Sequence, residues 1–256
     1  MIKLKSVEDI SLMRENALMV SKTLAEVGRH IEPGVTTKEL DAVAEKFIRS
    51  LGAEPGFLGY DGFPYTLCIS VNDTVVHGFP SEYKLREGDI VSVDCGTKYR
   101  GFYGASAYTF PVGKRSEEDA ALLEATKTSL YRGIGQAVAG HRTGDIGHAV
   151  QSYVENLGYS VVRELVGHGI GHNMHESPEV PNYGRQGHGV KLQEGMVICI
   201  EPMVNAGRKE IYLADNGWGI QTVDGRKSAH FELTVAIHKD APEVLSTFEF
   251  IENNQL

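Results

Sequence analysis

"LREGDIVSVDCG" (residues 85–96) and "LQEGMVICIEPM" (residues 192–203) read alike: a turn with Glu-Gly, an apolar strand, and a carboxylate at its end, Asp94 or Glu201. Two more matches keep the same order. "PGVTTKELDAVAEKFIRSLG" (33–52) and "AGHRTGDIGHAVQSYVENLG" (139–158) share Gly34/Gly140, Thr37/Thr143, Leu40/Ile146, Phe47/Tyr153 and Leu51-Gly52/Leu157-Gly158. Each reads as a helix with a Thr N-cap, an acid in its first turn, one apolar face and a Gly stop. "VVHGF" (75–79) then answers "VGHGI" (166–170). The offsets are 106 residues from Thr37 to Thr143 and 107 from Asp94 to Glu201. Three collinear matches imply a duplicated unit. The expected fold is α+β: two similar halves, roughly 1–112 and 113–256, about a pseudo-twofold axis, antiparallel strands inside and helices outside. Further helices are expected over 6–30, where Ser6 and Asp9 form a capping box, and over 116–138, opened by Ser116 and Asp119. No linker or low-complexity run divides the halves, so residues 1–256 read as one domain.

The totals fit that reading. A chain of 256 residues buries roughly three quarters of its extended surface. The net charge is −9, and Arg208-Lys209 and Arg226-Lys227 are the densest basic spots. That argues against a nucleic-acid partner held by phosphate neutralisation. The three cysteines are odd in number, and Cys95 and Cys199 sit in apolar runs, as reduced cytoplasmic thiols do. No apolar segment is long enough for a signal peptide or a membrane span.

The repeat also carries chemistry. An axis that superposes Asp94 on Glu201 brings two carboxylates together, and they repel unless a proton or a cation lies between them. Oxygen donors suit Mn, Mg, Co or Fe(II), and imidazole shifts the choice toward transition metals. "VGHGIGHNMHESP" (166–178) supplies His168, His172 and His175. Gly169 and Gly171 cost about 1 kcal/mol each in a helix relative to alanine, so a strand or loop is expected there. The match with His77 favours a role for His168, and His175 stays open. His30, His141, His148, His172, His188 and His238 read as ordinary surface or capped residues. "KSAHFELTVAIH" (227–238) holds Glu232 inside an apolar run. It is either solvent-facing on an edge strand or buried with a partner, because burial alone is costly. Its counterpart in the first half falls in "KYRGFYGASAYTF" (98–110), nearest Ala105. The first half therefore lacks its second acid.

Over essentially its whole length the chain resembles the type I methionine aminopeptidases in their minimal catalytic-domain form. The resemblance rests on "CISVNDTVVHGFP" (68–80), "GDIVSVDCGT" (88–97), "GHGIGHNMHESP" (167–178), "ICIEPM" (198–203), "NGWGIQT" (216–222) and "SAHFELT" (228–234). The 25 residues between His175 and Glu201 leave no room for the large insertion of type II enzymes. The resemblance implies the pita-bread fold and removal of N-terminal methionine from nascent polypeptides when the next side chain is small. It also implies two divalent ions (cobalt, manganese, iron or zinc) on five protein ligands. Four of these map onto Asp94, His168, Glu201 and Glu232. The fifth, a bridging aspartate, belongs to a Gly-Asp-Ser/Thr motif, and this chain has Gly104-Ala105-Ser106.

Loss of one ligand with its partners retained resembles a single Asp→Ala change. A natural inactive relative serving as a binding module is the alternative, as is another pita-bread peptidase of the prolyl dipeptidase type. Three carboxylates leave two divalent cations with one positive charge uncompensated, so one or no tightly held ion is expected, chiefly on His168, Glu201 and Glu232. By the same resemblance Glu201 shuttles a proton, His175 stabilises the oxyanion, and His77 contacts the scissile amide. The acidic cluster receives the free α-amino group. Phe57, Tyr60, Phe63, Cys68, Met174 and Trp218 wall a slot for the thioether. Backbone carbonyls of Asn72, Thr74 and Ser228 offer a monovalent cation site. The partner is a peptide with N-terminal methionine, and the enzyme is expected to be a monomer.

Overall fold

The computed structural model describes residues 2–253. Helices Val7–Gly28 and Thr37–Ser50 lie in the first repeat, and helices Glu117–Ile134 and Thr143–Asn156 in the second. Each packs an apolar stripe onto antiparallel strands, as an amphipathic helix must. Every strand pairing among the described residues is antiparallel. One apolar cluster runs through both repeats, from Leu24, Ile48, Val91 and Val93 to Val150, Ile198, Ile200 and Val235. No helix among the described residues is long and apolar enough to cross a membrane.

The duplication holds at the level of backbone hydrogen bonds. Gly34 and Gly140 both have φ of 99°, a value that suits only glycine. Their N–H groups donate to Leu85 O (2.7 Å) and Leu192 O (3.0 Å). Thr37 and Thr143 donate from their N–H groups to Tyr83 O (3.1 Å) and Val190 O (2.9 Å). The expected Thr caps are corrected by one residue. Thr36 caps the first helix, its Oγ1 accepting from Glu39 N–H at 3.1 Å. The second helix starts after Arg142, whose N–H donates to Asp145 at 2.7 Å. The hydroxyls of Thr37 and Thr143 instead accept from Ser81 N–H (2.8 Å) and Val190 N–H (3.1 Å), pinning a returning loop in each repeat.

One further expectation changes. Strand Ile90–Tyr99 does not end at Asp94. It continues as a hairpin with Phe102–Pro111 because Cys95, Gly96 and Thr97 still find partners in Ser106, Ala105 and Gly104. Its two-residue turn, Arg100-Gly101, has φ of 48° and 83°, the left-handed pair such a hairpin favours. Glu201 does follow its strand, Val197–Ile200. Across the strand contact Glu232 faces Ala107. Glu232 N–H donates to Ala107 O (2.9 Å), Ser106 Oγ to Glu232 O (2.6 Å), and Thr234 Oγ1 to Ala105 O (2.8 Å). These bonds stitch the strand of the first repeat to that of the second. Ala105 and Ala107, two apart in a strand, share one face.

Candidate functional site

A cavity of roughly 310 Å³ opens where the strands of the two repeats meet, and Asp94, His168, Glu201, Glu232, His77 and His175 all line it. Asp94 projects from the middle of Ile90–Tyr99. His168 sits on the strand Gly167–Gly169, whose register shifts beside it. Both flanking glycines are sterically required: a Cβ at Gly167 would overlap Cys199 O, and one at Gly169 would lie 2.5 Å from Ser177 O. The strand reading of this stretch therefore holds over a helical one. Glu232 is 3% exposed, which excludes the solvent-facing edge. Ala105 is also in the wall, with its side chain 2% exposed.

The centre is electrostatically unbalanced. Burial and the charge of Glu232 push Asp94 well above the usual carboxylate range. Burial, Glu232 and Asp94 do the same to Glu201. Burial raises Glu232 to about 7, partly offset by a hydrogen bond from the Cys199 thiol. Asp94 Oδ1, Glu201 Oε1 and Glu232 Oε1 are buried with no hydrogen-bond partner among the described residues. Buried carboxylate oxygens of this kind normally have a partner. Burial and His175 lower His168 to about 4, so its imidazole is neutral and can act as a donor at neutral pH. His168 Nε2 lies 3.5 Å from Glu201 Oε1. A carboxyl oxygen of Glu232, a ring nitrogen of His168 and Cys199 Sγ stand within 4.8 Å of one another. Cys199 is fully buried behind the wall. Carboxylate and imidazole donors of this kind suit a divalent cation. At position 105 the methyl group offers no oxygen.

Around this centre, His175 accepts or donates through Nδ1 to Tyr60 Oη (2.8 Å), and its ring stands edge-on to His168 at 4.4 Å. His77 has φ of 58°, a strained value for a side-chain-bearing residue. Burial and His175 lower its pKa. Phe57, Tyr60, Phe63, Cys68, Met174 and Trp218 line the same cavity, with Phe63 edge-on to Trp218 at 5.2 Å. Of the proposed backbone site, Asn72 O accepts from Ser228 N–H at 2.9 Å, and Thr74 lies on the adjoining strand Thr74–Val76. His172 lies outside the cavity and stacks on Phe102 at 4.2 Å.

Sequence reasoning passed over His230. It is 1% exposed, lines the cavity, and its Nε2 lies 3.7 Å from Glu201 Oε2. Its spacing of two from Glu232 was the available signal, since alternate residues of an extended segment share a face. Asp61, Val76, Leu165, Val166 and Met203 complete the wall.

Residues 11–239 match the model of metallopeptidase family M24. The chain is 48% identical to methionine aminopeptidase 1 of Bacillus subtilis, over 96% of this chain and 99% of that one. It is 50% identical to the methionine aminopeptidase of Clostridium perfringens, again over 96% and 99%. The crystal structure of methionine aminopeptidase from Rickettsia prowazekii superposes with a TM-score of 0.95 at 39% identity, covering 96% of this chain and all of that one. Prolidase from Pyrococcus furiosus shares the fold at 22% identity, with a TM-score of 0.79 over 95% of this chain and 65% of its own. The chain belongs to metallopeptidase family M24 and, within its pita-bread fold, to the type I methionine aminopeptidases.

Proposed function

We propose that the cavity is a metal-dependent aminopeptidase centre for peptides with N-terminal methionine and a small second residue, impaired in this chain by alanine at position 105. The observation that carries the reading is the convergence of Asp94, His168, Glu201 and Glu232 on one cavity with the Ala105 methyl group in its wall. Divalent cations there supply Lewis acidity and make water acidic enough to serve as nucleophile near neutral pH. Glu201 takes the water's proton at a carboxyl oxygen. His175 keeps Nδ1 on Tyr60 Oη and turns Nε2 to the developing oxyanion. His77 hydrogen-bonds the scissile amide. The aromatic and sulfur-bearing wall takes the methionine side chain, and carboxylates left free receive the α-amino group.

Three carboxylates in place of four support one tightly held divalent ion at most, on His168, Glu201 and Glu232, with cobalt, manganese, iron and zinc all compatible. A monovalent cation on the carbonyls of Asn72, Thr74 and Ser228 completes the ligand inventory. The reading includes a monomeric, cytoplasmic protein with no membrane or nucleic-acid partner. The isolated nature of the change supports an Asp→Ala variant of an active enzyme. Ala105→Asp tests this: methionine release from Met-Ala-Ser should rise at least 100-fold over the parent, with no cleavage of Xaa-Pro peptides. A variant that binds metal yet cleaves neither would favour a binding module, and Xaa-Pro cleavage would favour the prolyl dipeptidase alternative.

A further inference from the structure

The carboxylate of Glu201 stands between two imidazoles, one at each oxygen. His168 Nε2 is 3.5 Å from Oε1, and His230 Nε2 is 3.7 Å from Oε2. Neither distance is a hydrogen bond, which would be about 2.7–3.2 Å. Two donors bound about 2.1 Å from one cation at a tetrahedral angle stand roughly 3.4 Å apart, close to both separations. His230 has a second peculiarity. Both ring nitrogens are buried without a hydrogen-bond partner among the described residues, a costly state for an imidazole. Its backbone, by contrast, is fixed: N–H and C=O both bond Thr109 Oγ1, at 2.9 and 2.7 Å, and the strand pairs His230 with Met203. The backbone beneath the ring is thus fixed, while among the described residues neither ring nitrogen has a hydrogen-bond partner.

We propose that His230 is a metal ligand in this chain, taking a divalent cation jointly with Glu201 on the side of that carboxylate opposite His168. This rests on the reading of the cavity as a metal centre, and it departs from the five-ligand set of the family, in which this position has no part. The nitrogen donor offsets part of what the methyl group at 105 removes. It restores coordination without restoring negative charge. An imidazole on each side of Glu201 tilts the centre toward cobalt, zinc or iron(II) and away from magnesium.

The test is proton NMR of the cobalt(II)-loaded full chain, in which each coordinated imidazole gives one strongly shifted, solvent-exchangeable N–H resonance. With two equivalents of cobalt two such resonances are expected. His168→Ala should remove one and His230→Gln the other, and His230→Gln should weaken the second equivalent at least 10-fold while leaving the first unchanged. If the glutamine variant does not fold, His77→Asn and His175→Asn decide, because the second resonance must survive both. A single resonance, or a spectrum and a second-site affinity that His230→Gln leaves unmoved, overturns the inference while the metal centre stands. Failure to bind any cobalt overturns both.

Discussion

Three carboxylates share one small volume, and Glu232 is the one whose charge raises both of the others. Without a cation that arrangement is repulsive, so the residues proposed to serve the metal destabilise the metal-free fold. Glu232→Gln should therefore raise the melting temperature of the chelator-treated protein by about 2–4 °C for each kcal/mol of repulsion relieved. It should also cut cobalt affinity at least 10-fold by calorimetric titration. A lower melting temperature would mean that Glu232 is satisfied without metal. The same cluster sets a pH dependence. Asp94 and Glu201 keep protons in the fold that the unfolded chain has released, so stability falls as pH rises through that window. Below about 6.5 the histidines with lowered pKa oppose this: His77, His168, His175 and His230 hold fewer protons in the fold than in the unfolded chain. Above that pH the carboxylates act alone. The metal-free protein should lose up to about 1.4 kcal/mol per pH unit for each carboxyl proton that the fold retains and the unfolded chain has released, read from urea midpoints, and saturating metal should flatten the slope. The acids were legible as a pair in the repeat, and Ala105 as the gap opposite them. His230 was legible only as a neighbour of Glu232 on the same face, because nothing in one sequence tells a buried imidazole with bonded nitrogens from one without.

At the level of elements, the short connection after strand Thr74–Val76 aims His77 into the cavity. Its geometry comes from Gly78, which accepts from Ile69 N–H at 2.9 Å and donates to Ser70 Oγ at 3.1 Å. A Cβ there would overlap Ile69 O and lie 2.9 Å from Ile69 C. Those are backbone atoms of strand Leu67–Val71 and cannot rotate away. Gly78→Ala should cost about 1–3 kcal/mol by thermal unfolding. In the Ala105→Asp background it should lower kcat for methionine release while leaving cobalt affinity within two-fold, because His77 is not a ligand. Equal loss of metal would mean that the loop supports the centre itself. Periodicity and turn chemistry foretold the helices and the glycine-flanked extended stretch at His168. The Thr caps were misplaced by one residue because the hydroxyls serve a loop over 30 residues away in sequence, a tertiary partner no local pattern encodes. The strand through Asp94 was drawn too short for a similar reason: its last five residues are held by the returning strand, not by their own apolar content.

Across the whole molecule, the bonds that build the site also join the repeats. Glu232 is held to Ala107 and Ser106, and His230 to Thr109, so separating residues 1–112 from 113–256 would strip the second-half ligand segment of its partners. The apolar cluster crosses the same boundary. We therefore propose that the chain is a single domain despite its duplicated plan, and that neither half folds alone. Calorimetry should give one transition whose calorimetric and van't Hoff enthalpies agree, and halves expressed separately should show no cooperative melt. Because the proposed ligands come from both repeats, metal should raise that one transition as a whole. Cobalt at 100 times its Kd adds about 2.7 kcal/mol, or roughly 5–10 °C for a chain of this size. Two resolved transitions, only one of them moved by cobalt, would place the ligands within one half and contradict the shared cavity.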